Sequence, residues 1–426
     1  MDLGERYSRR IVDNEIDELQ TGVPAIAIEG AKGVGKTETA LRRCQTAYRL
    51  ETAAQRDIIA ADPPRLLQGS APILIDEWQR LPESWDIVRR AVDDGAGPGT
   101  YLLTGSASRD DISTHSGAGR IVTVRMRPLS LAERGFDPSV SLTELLGGVR
   151  PTVNGATTAT LTTYADEMLH SGFPGLRSTQ GRPLRARLDG YIDRIVDRDF
   201  DELGRKVRNP AALRRWLTAY AAATSSSASY EVIRDAATAG IGDKPARGAT
   251  DHYRNVLERL WVLDPVPAWL PSNNPIARLS TPAKHQLVDP ALAARLLGVD
   301  RDALLDGASA GPAIPRDGTL LGALFEALVT QSVRTYAQSA EARVHHFRTR
   351  GGEHEVDLIV ERADHRVVAI EVKMTRSVGA DDLRQLRWLC QTIGPDLLDA
   401  VVITTGPEAY RTTDGIAIVP AALLGP

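Results

Sequence analysis

Cysteine is nearly absent from this chain: two occur in 426 residues, Cys44 and Cys390, far apart in sequence. That count supports neither a disulfide framework nor a cysteine zinc site. Long hydrophobic runs are missing as well, and none approaches the ~20 residues that cross a bilayer as a helix. The opening stretch, Met1-Asp-Leu-Gly-Glu-Arg-Tyr-Ser-Arg-Arg10, lacks the apolar core of a signal peptide, so a cytoplasmic location and no membrane partner are expected. Excess positive charge is lacking too. Lys and Arg number 51 against 55 Asp and Glu, a formal −4, so nucleic acid has no global electrostatic pull here and only a local arginine patch could supply one. Repeats and low-complexity tracts are not evident. What is present is 42% hydrophobic residues over a length that fits about two to four folded domains. Glycine, threonine, serine and proline mark linkers at Gly147–Thr160, Ser225–Ser229 and Asp306–Gly318.

One stretch carries specific chemistry. Gly30-Ala-Lys-Gly33-Val34-Gly35-Lys36-Thr37 fits the phosphate-cradling loop G-x-x-x-x-G-K-[ST] at every fixed position. Glycines let successive backbone N–H groups approach phosphate oxygens closely. Lys36 is placed to reach the β- and γ-phosphates, and Thr37 offers a hydroxyl to Mg²⁺ at a helix N-terminus, with Glu38 next in line. Before the loop, Pro24-Ala-Ile-Ala-Ile-Glu29 reads as a buried strand, and Glu38 to Leu50 reads as a helix, which is the context the loop requires.

A Mg²⁺-dependent hydrolase also needs a carboxylate at a neighbouring strand end, and Ile73-Leu-Ile-Asp76-Glu77 provides it. Asp76 would hold the metal through water, and Glu77 would polarise the attacking water. A helix with Trp85, Val88, Ala91 and Val92 on one face then leads to a strand, Thr100-Tyr-Leu-Leu-Thr104-Gly-Ser106, whose polar end would lie beside the γ-phosphate; Thr-Gly-Ser is equally ordinary turn chemistry. Gly119-Arg120 to Ser130 reads as a last sheet strand. Arg120 is the candidate charge-neutralising arginine, although an arginine on such a strand serves as well in a solvated ion pair.

The C-terminal third holds a second constellation, Glu355-Val-Asp357-Leu-Ile-Val360 followed by Val367-Val-Ala-Ile-Glu371-Val-Lys373. If the intervening turn is centred on Asp364, Asp357 lies opposite Glu371 on the face that Lys373 shares. Two carboxylates and a lysine on one face would bind Mg²⁺ and position a hydrolytic water, while the same residues on a hairpin can form a plain ion-pair cluster. The pattern resembles the PD-(D/E)XK nuclease superfamily. That resemblance implies a metal-binding glutamate on the preceding helix, matched by Glu326, and a polar helper on the following one, matched by Gln385, with Ala400–Thr405 as the final strand. The retained residues permit cleavage without establishing it.

Between about Leu129 and Asp306 the chain reads as helical, with Tyr191 to Phe200 on one helix. Tyr230–Ala236 and Tyr253–Leu263 resemble a winged helix-turn-helix in which Arg247, His252 and Arg254 face either a DNA groove or a protein partner. Over nearly its whole length the sequence resembles the prokaryotic AAA-type ATPases that carry a C-terminal domain of unknown function with a nuclease-like fold. The resemblance rests on Gly30–Thr37, Asp76-Glu77, Thr104-Gly-Ser, Gly119-Arg120 to Pro128-Leu-Ser, Gly172-Phe-Pro174 and Asp357…Glu371-x-Lys373. The expected fold class is α/β: an AAA-type P-loop sheet domain over 1–140, a helical lid and winged-helix-like domain over 141–305, and a restriction-endonuclease-like α/β domain over 306–426. ATP and Mg²⁺ are the expected cofactors, and DNA and further copies of the chain in a homo-oligomer are candidate partners. The leading expectation is an ATP-hydrolysing protein that controls a nuclease-like domain acting on DNA; the alternative is an ATP-dependent switch whose C-terminal domain binds DNA or protein without cutting.

Overall fold

The computed structural model describes residues 7–107, 119–200, 207, 209–238, 244–269, 282–307, 319–349 and 351–426. They group into two compact units. One comprises 1–127 with 173–175 and 257–262; the other comprises 128–172, 176–256 and 263–426. The expected linker Asp306–Gly318 lies outside the described residues from 308 onward.

The first unit is a five-stranded parallel sheet, with strands β1 (Ala25–Glu29), β2 (Thr46–Arg49), β3 (Ile73–Asp76), β4 (Tyr101–Gly105) and β5 (Ile121–Arg125) in the order β2-β3-β4-β1-β5. Four helices accompany it, α1 (Val12–Gln20), α2 (Lys36–Leu41), α3 (Ala53–Ala61) and α4 (Glu83–Asp93). β1 is buried at all five positions, because it lies between two parallel neighbours; this is why its sequence runs apolar without alternation. Ile73, Ile75, Trp78, Trp85, Val88 and Leu103 belong to one core, and each such side chain contributes about 1.5–3 kcal/mol on burial. The expected helix over Glu38–Leu50 is corrected: α2 stops at Leu41, and Thr46–Arg49 pairs with β3 as an edge strand. Tertiary pairing overrides the helical reading here, with Tyr48 packed against the sheet core.

The second unit contains a seven-stranded mixed sheet. Its strands are β7 (Gly155–Ala156), β8 (Arg343–Arg348), β9 (Glu355–Glu361), β10 (Val367–Val372), β11 (Leu397–Thr404), β12 (Glu408–Arg411) and β13 (Ala417–Pro420), in the order β7-β12-β13-β11-β10-β9-β8. A two-stranded pair joins β6 (Val140–Ser141) to β14 (Leu424–Gly425). β11 is therefore not the final strand: three more follow, and β13 lies beside it in parallel.

The middle of the chain holds α5 (Leu161–Leu169), α6 (Gly181–Arg194), α7 (Pro210–Ala222), α8 (Tyr230–Ala236), α9 (Arg247–Arg259) and α10 (Pro290–Leu297), before α11 (Leu320–Ser339) and α12 (Arg384–Ile393). Helices on either side of residue 305 pack together. α10 packs on α5, α7 and α11, and the backbone around 263–269 bridges both 284–287 and β8. Asp289, fully buried, caps α10 through the Ala291 N–H and also accepts from the Gly172 N–H and the Ser171 hydroxyl. Gly172 has a packing reason to be glycine: a Cβ would stand 2.6 Å from Arg134 Nη2 and 2.9 Å from the Leu129 carbonyl.

Candidate functional site

The topology explains the first cluster. β4 runs between β1 and β3, so the loop after β1, Asp76 at the end of β3 and Thr104 near the end of β4 emerge at one edge, where parallel sheets bind ligands. Gly30 passes so close to β5 that a Cβ there would lie 2.1 Å from the Met126 carbonyl oxygen. Buried Arg10 braces the loop from behind, donating to the carbonyls of Val34 and Arg127. Gly33 and Gly35 lead into α2, whose first turn holds Thr37 and the exposed Glu38.

Lys36 is 4% exposed and donates to the carbonyls of Gly30 (2.8 Å) and Ala31 (2.9 Å). Burial pushes its ammonium down to about 8, against the charges of Glu77 and Asp76, which raise it. A triphosphate would restore the charge. Nucleotide binding at pH 9 is therefore expected to take up about one proton and at pH 7 almost none, with affinity falling toward tenfold per pH unit above about 8. Calorimetry in buffers of different protonation enthalpy checks this; an affinity that stays flat from pH 7 to 9.5 would refute it.

Asp76 Oδ1 accepts from the hydroxyls of Thr37 (2.7 Å) and Thr104 (2.5 Å). Thr104 in turn accepts from the Glu77 N–H at 3.1 Å. Glu77 has φ 57° and ψ 49°, a left-handed conformation that non-glycine residues rarely take and that concentrates at functional sites. Its Oε2 accepts from Gln79 Nε2 (2.5 Å) and the Ser106 hydroxyl (3.1 Å). Gln79 was not singled out from the sequence, and only its position two residues past Glu77 hinted at it. The hydroxyl of Thr37 and the carboxylate of Asp76 are hard oxygen donors of the kind Mg²⁺ takes.

Arg120 is corrected. Ile121 pairs with Ala25, so Arg120 lies at the opposite end of the sheet from Gly30, about 16 Å away along β1, in an ion pair with Asp93 at 2.7 Å. The arginine at the phosphate edge is Arg125, which pairs in register with Glu29 and whose charge is felt at Lys36. Its guanidinium carbon stands 3.6 Å from the ring centre of Trp261.

The second cluster lies in the other unit. β9 and β10 pair antiparallel from Glu361–Val367 to Leu358–Ile370, the register that a turn centred on Asp364 requires, and Asp357 and Glu371 are the next residues along the two strands. Asp357 Oδ2 accepts from the Val372 N–H at 2.9 Å, and Lys373 Nζ meets Glu371 Oε1 at 2.7 Å. Glu326 on α11 joins them, but through a residue the sequence reading did not find. Lys284, 1% exposed, places Nζ 2.9 Å from Glu326 Oε1, 3.0 Å from Asp357 Oδ1 and 3.2 Å from Glu355 Oε1.

The expected metal site of Glu326, Asp357 and Glu371 does not form: among the described residues no group of three or more His, Cys, Asp or Glu side chains is arranged to hold a metal ion. The physical reason is the amine in their midst. Burial would raise the Asp357 carboxyl, but Lys284, Lys373 and the Val372 N–H outweigh it and hold it below its usual range. Burial and the charge of Asp357 push Glu326 and Glu371 up to about 8. Gln385 faces His354, accepting at 2.9 Å, and not the carboxylates. In the middle region Arg254 covers the Tyr230 ring at 4.6 Å, His252 meets Phe200 edge-on and Arg247 is exposed.

A signal for Lys284 did exist. Only six of the 51 basic residues are lysines, and Lys36, Lys284 and Lys373 are three of them.

Residues 23–134 match an AAA domain. The loop of Gly30–Thr37 and the carboxylates of Asp76 and Glu77 lie within this match, so this part of the chain is similar to an AAA domain and has P-loop ATPase-like features. Residues 161–303 and 321–424 match two domains of unknown function, DUF8612 and DUF4143. The chain is 27% identical over 408 residues to the uncharacterized proteins Rv2008c of Mycobacterium tuberculosis and Mb2031c of Mycobacterium bovis, covering 93% of this chain and 80% of each relative. Among solved structures, the Walker-type ATPase PABY2304 of Pyrococcus abyssi aligns with a TM-score of 0.39 at 16% identity, over 68% of this chain and 95% of that one. The ORC2 protein of Aeropyrum pernix aligns with a TM-score of 0.28 at 14% identity, over 71% and 97%. No helix among the described residues is long and apolar enough to cross a membrane.

Proposed function

We propose that the chain binds and hydrolyses ATP, and that its nucleotide state controls a C-terminal nuclease-like domain acting on DNA. The observation that carries the hydrolase reading is the chain of contacts Thr37–Asp76–Thr104–Glu77 beside a buried Lys36. Thr37 and Asp76 would hold Mg²⁺, which neutralises phosphate charge when bound. Lys36 leaves the loop carbonyls for the β- and γ-phosphates, with the backbone of Gly33, Val34 and Gly35 around them. Glu77, aimed by Gln79 and Ser106, accepts a hydrogen bond from the attacking water. Thr104 touches both Asp76 and the Glu77 backbone, so a change at the γ-phosphate alters a bond on β4. Arg125 is the charge-neutralising arginine in this reading.

One observation favours the second reading, a switch with a non-cleaving DNA- or protein-binding C-terminal domain: an ammonium already fills the carboxylate cluster. The decisive assay incubates the purified chain with ATP, DNA and Mg²⁺ and follows phosphate release and DNA integrity together. Phosphate release is expected, and its absence overturns the ATPase. DNA cleavage that disappears in Asp357→Ala supports the nuclease-like site, whereas intact DNA selects the switch.

A further inference from the structure

The nuclease resemblance calls for a divalent metal among Glu326, Asp357 and Glu371, and the residues present do not fit one. A Mg²⁺ or Mn²⁺ ion needs carboxylate oxygens at about 2.0–2.2 Å in an open, hydrated shell. Here Glu326 Oε1 and Asp357 Oδ1 surround a nitrogen at hydrogen-bond distance, and Glu355 Oε1 faces it at 3.2 Å. An ammonium has three donors and no acceptor; Glu326 and Asp357 accept two of its hydrogen bonds, and Glu355 adds a third negative charge beside it.

The amine is also held from behind. Lys284 exchanges both backbone hydrogen bonds with Val266 at 2.9 Å, the next residue, His285, pairs with Ser225 and Ser226, and His346 on β8 accepts from the Trp269 N–H and donates to the Pro267 carbonyl. The segment that delivers the lysine is therefore fixed to α7's following turn on one side and to the edge of the β-sheet on the other. The carboxylates keep further partners of their own: Arg348 on Glu355 (2.9 Å), the Val372 N–H on Asp357, and Lys373 on Glu371. Glu371 Oε2, in a side chain 5% exposed, is buried with no hydrogen-bond partner among the described residues, an oxygen available to a cation if the amine leaves.

We propose that Lys284 is a tethered cation standing in the place of the divalent metal, so that this domain is metal-free and non-cleaving while the 282–287 segment is docked, and that removing the amine turns the cluster into a divalent-cation site. The segment comes from the helical region and the carboxylates from α11, β9 and β10. Docking of one on the other therefore decides whether the site exists. This goes beyond the ATPase reading and does not depend on it.

The test is a Mn²⁺ titration of the full chain followed by electron paramagnetic resonance, without nucleotide and in an Asp76→Asn background that silences the P-loop. The parent is expected to show no site below millimolar Mn²⁺. Lys284→Ala should gain one site at least ten times tighter, and Lys284→Ala with Asp357→Asn should lose it. Should Lys284→Ala fold poorly, Lys284→Met serves as the second variant, and Mn²⁺ should raise the thermal midpoint of either one while leaving the parent unchanged. A parent site that Asp357→Asn abolishes overturns the proposal. So does a folded Lys284 variant that gains no site. Phosphate release from ATP by the chain with native Asp76 is read separately, so failure here and failure of the ATPase reading are told apart.

Discussion

Lys36→Ala is expected to reduce ATP turnover to background, a loss of three orders of magnitude or more, while Glu77→Gln lowers it by about 10²–10⁴-fold and leaves nucleotide bound. The difference follows from position. Lys36 is buried in the loop with its amine on the Gly30 and Ala31 carbonyls, so truncation removes the charge that meets the phosphates and leaves those two acceptors without their donor. Glu77 meets no loop atom. It is turned by its left-handed backbone toward Gln79 and Ser106, and the amide of glutamine keeps the shape but lacks the basicity that draws a proton from water. A coupled phosphate-release assay and equilibrium binding of a fluorescent ATP analogue separate the two effects. Full turnover in Lys36→Ala, or loss of binding in Glu77→Gln, would overturn the assignment of roles.

Arg411→Met is expected to destabilise the second unit by about 3–5 kcal/mol, because it strands a buried carboxylate. Asp399 is fully buried on β11, and Arg411 on β12 grips both its oxygens, Nη1 to Oδ1 at 2.9 Å and Nη2 to Oδ2 at 2.7 Å. The same guanidinium donates to the carbonyls of Gly415 and Pro151, so it also fastens the turn before β13 and the approach to β7. In urea the transition belonging to this unit should move down by about 1 M or more. Replacing Asp399 by leucine in the same variant should recover most of the loss, since an apolar pair of similar volume carries no desolvation cost. A shift within the scatter of surface substitutions, about 0.5 kcal/mol, would show the pair to be dispensable.

Much of this was legible because it is local. The phosphate loop and the strand before it lie in one run from Pro24 to Thr37, Asp76-Glu77 ends an apolar strand, and the register of β9 on β10 follows from a turn centred on Asp364. Local patterns failed where partners are distant. The stretch after Leu41 reads as helix until β3 is there to pair with Thr46–Arg49. Arg120 looked suitable by type, but strand direction puts it at the wrong end of the sheet. Lys284 lies 42 residues from Glu326 and 73 from Asp357, in a run held by isolated backbone bridges from Lys284 to Val266 and from Leu287 to Leu263. Burial of a charge depends on where its counter-charges arrive, and no period in the sequence encodes that.

The strand pairing of the second unit has a consequence in time. β6 and β7, at residues 140–141 and 155–156, find their partners in β14 and β12, more than 250 residues later. At about 5–20 residues per second, a ribosome exposes these two early segments for on the order of tens of seconds before their partners exist. During that interval the five-stranded parallel sheet, ending with β5 at Arg125, can already be paired while the chain just beyond it waits with open strand edges. The seven-stranded sheet takes its earliest strand, β7, onto its edge only once β12 exists.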